Sequence, residues 1–134
     1  MLRRLESTVA SGDYDIDFGT TGSGVIILDR IPMNPERSNR INRERFANRV
    51  TIYAESADLV SGLGNYLEID AYPAIAATGS GYVADLPVAQ MSVYENAVVT
   101  RMTIENLQDS YLEIRVSTNH NAGTVKLHRE LYEG

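Results

Sequence analysis

Three aspartates alternate at Asp13, Asp15 and Asp17, the spacing with which an EF-hand calcium loop begins. Such a loop needs a glycine next and a bidentate glutamate at its end. Phe18 and Gly24 occupy those places. The acids alternate with Tyr14 and Ile16, which points to the solvated face of a strand rather than to a metal site. The pairs Asp15/Asp17 and Glu68/Asp70 raise glycoside hydrolysis, which needs two carboxyl groups about 5–10 Å apart across a cleft, one with a raised pKa. Residues two apart on a strand share a face at a fitting distance, yet nothing in the sequence marks a cleft beside them. The two histidines, His120 and His128, have no Ser, Cys or carboxylate at a recognisable motif spacing, so neither a catalytic triad nor a zinc site is expected. Gly19, Gly22 and Gly24 lack the following helix and lysine of a phosphate-cradling loop. No catalytic residue, metal or other cofactor is therefore expected, and the chain reads as a non-enzyme.

The strongest chemical signal is basic. Residues 30–49 carry six arginines and two glutamates, whereas residues 1–29 have a net charge of −3 and residues 50–134 a net charge of −7. Arginine neutralises phosphate, but the acidic body and the absence of a DNA-binding motif disfavour nucleic acid as the partner. Arginine also pairs bidentately with carboxylates and is enriched at protein interfaces. Arg37, Arg40, Arg43, Arg45 and Arg49, with Phe46, are thus the candidate partner-binding residues, opposed to the bland alternative of a solvated loop. A helix could start at Asn34-Pro35-Glu36, but only Ile41 and Phe46 follow as large apolar residues before Val50. Residues 30–49 are accordingly expected as an irregular extended loop or arm, and residues 1–12 as an N-terminal arm.

The elements around this segment alternate with a period of two. Tyr14, Ile16 and Phe18 share one face, and Val25-Ile26-Ile27-Leu28 reads as a short buried strand after a glycine-rich turn. Strand signals return at 50–54 and 66–72, where Pro73 limits how central the second can be, and more weakly at 82–86 and 90–94. The last third alternates most clearly, with Val98, Thr100, Met102 and Ile104 on one face, and with Leu112, Ile114, Val116, Val125, Leu127 and Leu131 on inward positions. Its connections are short and turn-rich, which predicts an antiparallel meander of three strands. Strands without intervening helices predict one all-β domain over residues 1–134, an antiparallel β-sandwich or jelly roll.

Composition agrees with a single domain. The chain has 134 residues, 43% of them apolar, with no Trp and eight Tyr. The absence of cysteine excludes disulfides and a thiolate nucleophile. No apolar run follows Arg3-Arg4, so no secretory signal is expected there, and no stretch approaches the ~20 apolar residues of a membrane helix.

Three segments, Val98-Val99-Thr100-Arg101-Met102-Thr103-Ile104, Tyr111-Leu112-Glu113-Ile114-Arg115-Val116 and Asn121-Ala122-Gly123-Thr124-Val125-Lys126-Leu127, resemble small β-rich virion proteins of tailed bacteriophages, especially capsid decoration or cement proteins. The resemblance covers residues 50–134 and is one of texture rather than of a diagnostic motif. It implies a jelly-roll or sandwich fold, trimers or dimers, and attachment to the major capsid protein or another shell protein of a virion. The alternative is a carbohydrate-binding or adhesion module in which Tyr53, Tyr66, Tyr72, Tyr82 and Tyr94 form a stacking platform.

Overall fold

The computed structural model describes residues 3–4, 12–33, 49–60, 62–75, 83–105 and 111–133. Nine strands and one helical turn follow in chain order: β1 (Arg3–Arg4), β2 (Gly12–Asp17), α1 (Phe18–Thr21), β3 (Gly24–Pro32), β4 (Arg49–Ala57), β5 (Leu67–Ala74), β6 (Ala89–Ser92), β7 (Val99–Glu105), β8 (Tyr111–Thr118) and β9 (Thr124–Glu133). They form two antiparallel sheets. The first runs β2-β9-β4-β7, with β1 extending the β2 side of β9. The second runs β3-β8-β5-β6. The two packed antiparallel sheets make a β-sandwich, and eight strands divided in this order have the double-sheet arrangement of a jelly roll, within the sandwich-or-jelly-roll class that the sequence pattern predicts.

The core lies between the sheets. Ile16, Ile52 and Leu127 come from the first sheet, and Leu67, Ile69, Leu112 and Ile114 from the second. Burying each such side chain contributes about 1.5–3 kcal/mol, and a one-residue slip of register would turn the whole set outward. Phe18, the third inward residue after Tyr14 and Ile16, is fully buried at the start of α1. Asp17 caps that turn, its Oδ1 accepting from Gly19 N at 2.9 Å. One glycine is sterically fixed: Gly123 has φ +90°, and a Cβ there would meet the Asp58 carbonyl oxygen at 2.8 Å.

Four sequence expectations change. The last three strands are not a meander. β7 pairs with β4, β8 with β3 and β5, and β9 with β4 and β2, so the chain crosses between the sheets twice. Residues 106–110 and 119–123 connect them, long enough for an extended chain to cover the ~10 Å between stacked sheets. Val25-Ile26-Ile27-Leu28 is not a buried run: Val25 and Ile27 are 62% and 57% exposed, because β3 is an edge strand with one open face. The Arg-rich segment is shorter than 30–49. Arg30, Ile31 and Pro32 belong to β3 and Arg49 opens β4, while Ile31 and Met33 enter the core with strand periodicity. Pro32 is tolerated because an edge strand need not donate on its outer side. Likewise Arg3–Arg4 pair with β9 and Gly12 opens β2, at positions expected as an N-terminal arm. Pro73 falls where β5 has lost its β6 neighbour, since that pairing ends at Ala71–Ala89.

Candidate functional site

The outer faces of the two sheets differ in what their polar residues do. On the first sheet, alternation sends Tyr53 and Glu55 of β4, Lys126 and His128 of β9, and Asp15 of β2 outward. Together with Val99 of β7 they line a cleft of about 400 Å³ across all four strands. The His128 ring faces the Tyr53 ring at 6.0 Å between centroids, tilted by 36°. His128 Nε2 lies 3.1 Å from Glu130 Oε1, and the Tyr132 hydroxyl donates to Glu130 Oε2 at 2.6 Å. One carboxylate thus holds two side chains of β9 at strand spacing. Nearby, Thr51 and Thr103 share a hydrogen bond between their hydroxyls at 3.1 Å.

The second sheet ties one buried carboxylate to two arginines. Glu113 of β8 is buried and is caught between Arg30 of β3, 3.0 Å away, and Arg115 two residues along its own strand. Arg115 also lies over the Tyr72 ring, 4.2 Å from its centroid. Such a desolvated cluster is costly to break, because removing one member leaves a buried charge behind. On β5, burial, the charge of Asp70 and a hydrogen bond to Asp70 together raise the Glu68 carboxyl above its ordinary value. Asp70 Oδ1 is buried without a hydrogen-bond donor among the described residues.

One end of the sandwich is stitched by amide side chains. Asn96 accepts from Leu59 N and donates to Leu59 O, both at 3.0 Å, tying the β4–β5 and β6–β7 connections together. Asn119 does the same between Tyr66 N and Gly64 O. A smaller cleft of about 180 Å³ lies here beside Tyr94 and His120. His120, in the connection between β8 and β9, is 9% exposed and stacks on Phe18 at 6.5 Å. That connection closes onto the core, so its imidazole serves packing.

Of the candidate docking residues, Arg37, Arg40, Arg43, Arg45 and Phe46 lie outside the described residues. Arg49 is described: its Nη2 pairs with Glu105 across β4–β7 at 3.0 Å. The tyrosines do not form one platform. Tyr53 and Tyr72 stand on outer faces of opposite sheets, and Tyr66 and Tyr94 at the stitched end. Tyr82 lies outside the described residues. Of the two suspected acid pairs, Asp15/Asp17 parts company, because the Asp17 side chain caps α1 while Asp15 lines the larger cleft, whereas Glu68 and Asp70 stay in contact. Among the described residues no group of three or more His, Asp or Glu side chains could hold a metal ion. No described helix is long and apolar enough to cross a membrane. Compared with protein-family models and with characterised proteins, the sequence matches none.

The cleft was missed at the sequence level because its lining comes from four strands, two of them far apart in the chain. Only the β4–β9 and β2–β9 registers bring Tyr53 opposite His128 and Asp15 opposite Lys126.

Proposed function

We propose that this chain is a structural virion protein that docks on and reinforces a capsid lattice. The observation that carries the proposal is the position of the Arg-rich segment in the chain. It leaves the second sheet after β3 and enters the first at β4, so a rigid jelly roll holds both of its ends. Arg37, Arg40, Arg43 and Arg45 fall between those ends, in a chain whose remaining charge is strongly negative. A basic segment on an acidic body suits an acidic shell surface, or an acidic face of a second copy, and opposes non-specific attachment to nucleic acid. Many equivalent weak contacts on a repeating lattice then add through multivalency.

The test uses purified capsid shells free of the protein, mixed with it and sedimented together. The wild type is expected to pellet with the shells. A variant with Arg37, Arg40, Arg43 and Arg45 changed to Gln is expected to stay in the supernatant with its thermal unfolding unchanged. Full occupancy of shells by that variant in high salt overturns the proposal. The mass of the free protein in solution tells whether a dimer or a trimer docks.

A further inference from the structure

Three charged side chains that line the cleft on the first sheet have no partner among the described residues. Among the described residues, no hydrogen bond or ion pair engages the side chains of Asp15, Glu55 or Lys126. This holds although Lys126 stands in register with Asp15 on one side and Glu55 on the other. The second sheet shows the opposite, since its Glu113 is tied to two arginines. A carboxylate, an ammonium and a second carboxylate in a row, unpaired and facing a concavity, are unspent acceptors and donors.

We propose that this cleft binds a neutral saccharide of one or two rings. Four strands contribute to it, and three inter-strand spacings give a span of roughly 14 Å, long enough for a disaccharide. Its volume of about 400 Å³ is in the range of small-molecule sites. The Tyr53 ring and the Val99 side chain supply apolar surface for the C–H face of a pyranose ring. Asp15 and Glu55 accept from sugar hydroxyls, and Lys126 donates to hydroxyl or ring oxygens. Hydrogen bonds with one charged partner are the stronger kind. The lining decides against other ligands of this size. Asp15 and Glu55 outnumber Lys126, which disfavours phosphates and uronates, while Lys126 between them disfavours a cation. The β-sheet floor and the contacts of His128 with Tyr53 and Glu130 hold the site in shape before the ligand arrives, which lowers the entropy lost on binding. The inference is independent of the docking segment and needs only the isolated protein.

The experiment is saturation-transfer NMR with glucose, galactose, mannose, N-acetylglucosamine, cellobiose, lactose and diacetylchitobiose at millimolar concentrations, with glucuronate and glucose 6-phosphate as anionic comparators. At least one neutral sugar is expected to show saturation, and Tyr53→Ala to weaken it roughly tenfold, the size of one lost ring contact. Asp15→Asn and Lys126→Met are expected to weaken it as well, with unfolding curves like the wild type. Tyr94→Ala, at the stitched end, is expected to leave it unchanged. The proposal is overturned if no neutral sugar binds, if the anionic comparators bind more tightly, or if affinity survives Tyr53→Ala.

Discussion

One cluster on each outer face of this jelly roll uses the same kinds of side chain for opposite ends. On the second sheet Glu113, Arg30, Arg115 and Tyr72 are locked together at the sheet surface, and Glu113 is buried by its partners. On the first sheet Asp15, Glu55 and Lys126 lie in register yet stay apart around a cleft. The difference teaches that charge on a strand face has no fixed meaning. Where opposite charges close on each other, they fasten strands. Where they remain separated around a concavity, they are available to a ligand.

The largest expected effect breaks the second face. Glu113→Ala leaves Arg30, itself only 8% exposed at its side chain, and Arg115 without their shared anion. A loss of about 3 kcal/mol in unfolding free energy is expected, measured by urea denaturation. A loss below about 0.5 kcal/mol would mean that the cluster is no fastening, because surface pairs of no structural weight behave that way.

A smaller effect sharpens the comparison by pH. The Glu68 carboxyl keeps its proton to a higher pH in the fold than in the unfolded chain, where its ordinary value is 4.5. Below that value its contribution is fully present. As pH rises through the folded value the contribution is lost, because the native state then binds more protons than the unfolded state. Stability from this group therefore falls on going from acid to neutral pH. Glu68→Gln is expected to remove that fall and to gain about 0.5 kcal/mol at neutral pH by deleting a like charge beside Asp70. An unchanged stability profile between pH 4 and pH 7, seen in thermal melts, counts against the coupling.

The smallest effect belongs to the first face. Lys126→Met and Asp15→Asn are expected to change unfolding free energy by less than about 0.5 kcal/mol each, since neither side chain is engaged with another described residue. A loss approaching that of Glu113→Ala would erase the contrast between the faces. Added salt is expected to leave these two variants and the wild type equally stable.

Much of the fold was legible in the chain. Alternation at Tyr14-Ile16-Phe18, Leu112-Ile114-Val116 and Val125-Leu127 identified strands and the faces they bury. The site was barely legible. Tyr53 was seen only as one of several tyrosines and Asp15 only as part of two acid patterns, because nothing local relates either to Lys126 or His128. Arg30 falls in a segment that reads as an irregular arm because only Ile41 and Phe46 follow as large apolar residues, whereas β3 continues through Arg30 and Ile31 to Pro32, which an edge strand accepts.

The sequence by itself determined which side chains go inside, since a period of two assigns each residue of a strand to a face wherever the strand lies. Only the tertiary structure decided which strands are neighbours. Pairing β9 with β4 joins residues far apart in the chain, and its free energy depends on how two whole sheets pack rather than on any local pattern. After β7 and after β8 the chain could have returned to the same sheet, but burying apolar faces on both sides of one core sent it across to the other.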